Sequence, residues 1–172
     1  MSLDLYIKSN TPVLHRGTGV FIRENGQNRE LTTKQEVLTY FPDVNSDDII
    51  EKTYEDNDFF HLNLTHNLTE MASRCRVIGT CNYDSDSAVV TLYDLLWHPS
   101  EELNIKVPNL DYLEDVMACY KNLLQNPEFF KMYNPTNGWG TYEQLCNGTK
   151  EYLNALVSIS DNFNNYTILA DT

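Results

Sequence analysis

Basic side chains are what this sequence has least of: 12 Lys and Arg stand against 25 Asp and Glu, a formal net charge of -13 over 172 residues. Nucleic-acid binding rests on contacts between cations and phosphates, so direct binding of nucleic acid is not expected. Long apolar runs are missing too. None reaches the roughly 18 residues of a membrane span, the mean hydropathy is -0.45, and no membrane association is expected. The opening Met1-Ser2-Leu3-Asp4-Leu5 has neither the basic leader nor the apolar segment of a signal peptide, so a cytoplasmic protein is expected.

The four cysteines, Cys75, Cys81, Cys119 and Cys146, contain no CxxC pair. Reduced thiols are expected of them, with no metal site and no cofactor. Phosphate loops, HExxH, GxSxG and calcium-binding loops are absent as well. Gly17-Thr18-Gly19 is too short a glycine turn to cradle a phosphate. Cys75 or Cys81 with one of His15, His61, His66 and His98 would make a nucleophile and base on paper, as in any chain with four of each, so no catalytic residue is assigned. Whether the chain is an enzyme stays open at this point, with binding the favoured reading.

The charge is unevenly spread. Residues 1–34 hold Lys8, Arg16, Arg23, Arg29 and Lys34 against Asp4, Glu24 and Glu30, a sum of +2 that leaves -15 for the rest. The densest acidic run is Asp43, Asp47, Asp48, Glu51, Glu55, Asp56 and Asp58, relieved only by Lys52. Such a run is either a solvated surface or a set of carboxylates offered to a basic partner.

Periodicity predicts an α+β fold in a single domain, residues 1–172. Its small antiparallel sheet comprises the N-terminal hairpin, a strand at about 60–64 and a C-terminal strand, packed against four to six helices. Leu3 to Lys8 alternates as a first strand, and Asn25-Gly26 marks a hairpin within a basic region, 1–34. Thr33 with Glu36 opens a short helix that Pro42 stops, and an acidic loop follows to residue 58, with a possible strand from Ile49 to Tyr54. From residue 59 the chain reads as mainly helical with a closing strand at Tyr166 to Leu169. Asn67 with Glu70 has the spacing of a helix N-cap, the residues from Gly79 to Ser87 read as a polar loop, and Asn109 opens the clearest amphipathic helix. Gly148, inside the last long helix, suggests close packing.

Three stretches gather both tryptophans and two histidines: Thr65-His66-Asn67, Trp97-His98-Pro99, and Asn137-Gly138-Trp139-Gly140-Thr141-Tyr142. Each has a structural job in prospect, as a helix cap, a helix stop and a glycine-flanked anchor. Set in the longer runs Thr65–Ala72, Leu92–Pro99 and Asn137–Tyr142, they resemble a family of small proteins of bacteriophages, prophages and other mobile elements, over roughly residues 60–157. No activity is attached to that family. By analogy with small acidic phage proteins, the resemblance implies an inhibitor of host defence, anti-CRISPR proteins included, acting in the cytoplasm of a bacterial host cell.

Two readings follow. In the first, a non-enzymatic interaction protein presents Asp43, Asp47, Asp48, Glu51, Glu55, Asp56 and Asp58, with Glu101, Glu102, Asp111, Glu114 and Asp115, to a host protein with a basic surface, such as a defence nuclease, in the manner of a nucleic-acid mimic. In the second, Thr65, His66, Asn67, Trp97, His98, Asn137, Trp139 and Tyr142 line one pocket for a small nucleotide-like ligand, either sequestered or hydrolysed.

Overall fold

Leu3, Leu5 and Ile7 alternate with Asp4, Tyr6 and Lys8, and that period of two sets one face of a strand inward. In the computed structural model, which describes residues 1–79, 89–99 and 106–172, all three apolar residues are fully buried. Their strand, β1 (Ser2–Gly17), is far longer than the six residues expected. It forms the middle of a three-stranded antiparallel sheet between β4 (Lys52–Thr65) and β7 (Tyr166–Asp171). The ladder between β1 and β4 slips where Ser9 to Pro12 face Asn57 alone. Pro12 has no N–H to give to a ladder, and a bulge is where a strand accommodates it.

The acidic segment therefore differs from the expected loop. From Lys52 onward it is strand, because Thr53 to Asp56 pair with Val13 to Arg16. Along this ladder one cross-strand arrangement occurs twice. His61 stacks on Tyr6, its opposite neighbour, at 4.6 Å between ring centroids, and bonds Asp4 at 2.7 Å. His15 stacks on Tyr54 at 5.1 Å and bonds Asp56 at 2.7 Å. Burial works to raise the Asp4 carboxyl, but hydrogen bonds from Asn63 and His61 outweigh it and hold the group below its ordinary value. Asp56 is lowered in the same way, against burial, by the Asp58 backbone N–H and His15.

Between β1 and β4 the chain forms a ribbon, β2 (Phe21–Glu24) with β3 (Gln27–Glu30), and a helix, α1 (Lys34–Tyr40). Asn25 and Gly26 both take positive φ, 52° and 80°, as the two-residue turn predicted by Asn-Gly requires. Thr33 accepts the Glu36 N–H, as the capping spacing predicts. Leu31, Val37 and Ile49 make a small hydrophobic cluster of their own under this region.

The main core is separate and packs against Leu3, Leu5, Ile7, Leu62, Leu64 and Ile168 of the sheet. Helix α2 (Thr69–Arg74), α3 (Leu92–Trp97), α4 (Leu110–Gln125), α5 (Pro127–Lys131) and α6 (Tyr142–Ser158) supply most of it, with a short ribbon of β5 (Arg76–Ile78) and β6 (Val89–Thr91) that alternation did not foretell. Gly148 faces Leu62 and Leu64, so α6 approaches β4 as closely as expected. The result is an α+β fold with a small antiparallel sheet and six helices among the described residues. No helix among them is long and apolar enough to cross a membrane. The expected polar loop lies almost wholly outside the described residues, as do Cys81, Glu101 and Glu102.

Candidate functional site

Strand β4 ends at Thr65, whose hydroxyl accepts the Asn67 N–H at 3.3 Å and starts a single 3-10 turn, His66–Leu68, leading into α2. The cap is thus Thr65 and not Asn67, because the 3-10 turn places the first free N–H groups one turn earlier than a direct α start would. Asn67 is released for another task. Its side-chain amide donates to the backbone carbonyl of Trp139 at 3.1 Å, tying the first motif to the third across 72 positions.

The third motif is a tight turn ahead of α6. Asn137 Oδ1 accepts the Trp139 N–H at 3.0 Å, an Asx turn, and Thr141 caps α6 by accepting the Gln144 N–H at 3.2 Å. The turn sends its two large aromatics in opposite directions. Tyr142 is buried, its hydroxyl donating to the Leu123 carbonyl at 2.6 Å, and burial pushes its phenol up. Trp139 stands 69 % exposed. An indole is usually well covered, so this exposure is the informative departure.

The hairpin tip closes the site. Gln27 offers its side-chain amide to the backbone of Asn63, accepting its N–H at 2.7 Å and donating to its carbonyl. The amide stands in for a neighbouring strand on the outer edge of β4. Between hairpin tip, β4 end and Trp139 turn lies a cleft of about 710 Å³, within the usual range for ligand sites. Of the eight pocket residues expected from sequence, Thr65, His66, Asn67 and Trp139 line it; Arg23, Asn25, Gln27 and Gln144, which sequence reasoning missed, line it too.

The other four lie elsewhere. Trp97 is 3 % exposed in the core, stacked on Tyr93, and its indole N–H has no hydrogen-bond partner among the described residues. His98 bonds the Tyr93 hydroxyl at 3.0 Å, Tyr142 is core, and Asn137 holds the turn from outside the cleft. The two tryptophans therefore do not face one another across a common pocket.

The histidines sort the same way. His15, His61 and His98 each have a side-chain partner. The imidazole of His66 has none among the described residues, and His66 is one of the residues that line the cleft. The cysteines are remote from it: Cys75, Cys119 and Cys146 are buried in the main core. A hydrogen bond with Cys75 and burial push the Cys119 thiol far up, and burial raises Cys146, which keeps both protonated. Among the described residues no group of three or more His, Cys, Asp or Glu side chains is placed to hold a metal ion.

The acidic candidates divide. Asp43, Asp47, Asp48, Glu55, Asp111 and Glu114 are exposed. Glu51 is exposed too, but it accepts the Lys34 N–H at 2.7 Å and so seats the start of α1. Asp56 and Asp58 are engaged by His15 and Lys8. Asp115 corrects the expectation outright. It is 1 % exposed, because Tyr112, Asp115, Val116 and Cys119 share the inward face of α4, so it cannot meet a partner.

Against protein-family models, curated proteins and solved structures alike, the chain has no match.

Proposed function

We propose that this is a binding protein of the phage and mobile-element family its motifs resemble, and that it engages its ligand at the cleft around His66 and Trp139. One observation carries the reading: His66, whose imidazole has no partner among the described residues, and the exposed Trp139 lie in the same cleft, while the other histidines and Trp97 are bonded or buried. An aromatic ring held outward by a rigid turn is the usual anchor of a binding site.

A second reading keeps support from the exposed Asp43, Asp47, Asp48 and Glu55. These carboxylates suit a basic groove on a host defence or nucleic-acid-handling protein, as an inhibitor of the anti-CRISPR type would use. Several of the other acids in this run have structural roles, so the cleft ranks first.

Native mass spectrometry of protein isolated from bacterial cells at low salt separates the two. The expected result is a bound species retained by the charge-reversed variant Asp47→Lys/Asp48→Lys/Glu55→Lys and lost from Trp139→Ala. A species lost on charge reversal but kept by Trp139→Ala contradicts the cleft reading, and so does the absence of any bound species.

A further inference from the structure

Resting on the cleft reading, we infer that the ligand is a small aromatic anion of mononucleotide size, its ring stacked on Trp139 and its phosphate met by Arg23 and His66. The first ground is charge. Acids make up 25 of 172 residues, so about two of the sixteen lining residues would be carboxylates at the overall rate; none is. The two acids flanking the lining residues in sequence are both paired with cations, Glu24 with Arg29 at 3.0 Å and Glu143 with Lys131 at 3.6 Å. In a chain of net charge -13, a cleft with no carboxylate among its described lining residues that also holds Arg23 and His66 is a place where an anion meets reduced repulsion.

The second ground is the set of unengaged polar groups. Among the described residues the guanidinium of Arg23 has only a long 3.4 Å contact to Asn28, leaving most of its five donors available there. The side-chain amides of Asn25 and Gln144 have no hydrogen-bond partner among the described residues, and both line the cleft. Each offers a donor and an acceptor in one plane, the pattern that reads the edge of a heterocyclic base. Trp139 adds a flat, exposed face of the kind on which bases stack irrespective of their identity.

The third ground is size. About 710 Å³, open on one side, admits a single ring with its sugar and phosphate. The same phosphate-bearing ring occurs at the end of a nucleic-acid strand. A polymer would have to bring many further phosphates against the acidic remainder of the surface, so the free small molecule is the form assigned.

Calorimetric titration with adenosine monophosphate, adenosine, inorganic phosphate and a short single-stranded oligonucleotide tests this. The mononucleotide is expected to bind at least about tenfold more tightly than adenosine or phosphate alone. Trp139→Ala should weaken it at least about tenfold, the loss of one stacked base, and Arg23→Gln should weaken it and flatten its salt dependence. Trp139 is exposed and Arg23 is a surface residue, so both variants should fold; circular dichroism checks that they do.

Equal binding of adenosine and its monophosphate overturns the anion assignment, and tighter binding of the oligonucleotide overturns the free-ligand form. If neutral aromatic fragments perturb the NMR signals of Trp139 and His66 while no nucleotide does, the anionic class fails and the cleft reading stands. If neither class perturbs them at millimolar concentration, both fail.

Discussion

Gly140→Ala should destabilise the fold by about 3 kcal/mol, with roughly 1–2 from a left-handed backbone and roughly 1–3 from overpacking. Gly140 has φ +93°, and a Cβ there would stand 2.6 Å from Thr65 Cγ2 and 3.0 Å from Leu68 Cγ. Neither neighbour can retreat cheaply. Thr65 ends a paired strand and caps the 3-10 turn, while Leu68 is buried in the main core. Gly138 is the internal control. It shares the positive φ, +74°, yet nothing lies within 4 Å of its missing Cβ. Gly138→Ala should therefore cost only the backbone term, roughly 1–2 kcal/mol. Urea unfolding of the two variants checks the ranking. Equal losses would mean that the close approach of turn and strand is not as described.

The second large effect is expected at a hydroxyl pair in the main core. Tyr112 donates to the Leu95 carbonyl at 2.6 Å, so the 2.7 Å contact between Tyr112 and Tyr152 must be donated by Tyr152. Both rings are fully buried, and burial raises the Tyr152 phenol. Tyr112→Phe removes the donor to one buried carbonyl and the acceptor of one buried hydroxyl, a loss of about 2–3 kcal/mol. Tyr152→Phe removes only a donor whose acceptor keeps its own bond, about 1 kcal/mol. Chemical denaturation should thus rank Tyr112→Phe well below Tyr152→Phe. The pair joins α4 to α6, the helix that carries the Trp139 turn at its start. Looser seating of α6 in Tyr112→Phe should also broaden the Trp139 indole signal.

Much of this architecture was legible in the sequence because its signals are local. Asn25-Gly26, Thr33 with Glu36, Asn109 and Pro127 each act within four residues, and the elements they mark are present. What stayed hidden depends on distant chain. The acidic run reads as loop because its apolar residues are few, and only pairing with Val13 to Arg16 makes it strand. Asn67 reads as a cap because its spacing to Glu70 is right, and only the arrival of Trp139 gives its amide a different partner. The site divides along the same line. Sequence singled out Thr65, His66, Asn67 and Trp139 as unusual, but grouped them with Trp97 and Tyr142, whose composition is alike and whose burial is opposite. Nothing local marks Gln27 or Gln144 as cleft residues; a hairpin folded back onto the edge of β4 puts Gln27 there, and the first turn of α6 brings Gln144 against the hairpin's Gly26.

Hydroxyl-radical footprinting in a bacterial lysate tests most directly whether this cleft is the contact site. Trp139 and the 75 % exposed Met132 should both oxidise readily in the isolated protein. In lysate the cleft reading predicts strong protection of Trp139 and His66, with Met132, Tyr54 and Ile50 oxidised as fast as in buffer. Protection of Tyr54 in the acidic strand and Ile50 just before it, with Trp139 left as reactive as Met132, would contradict it.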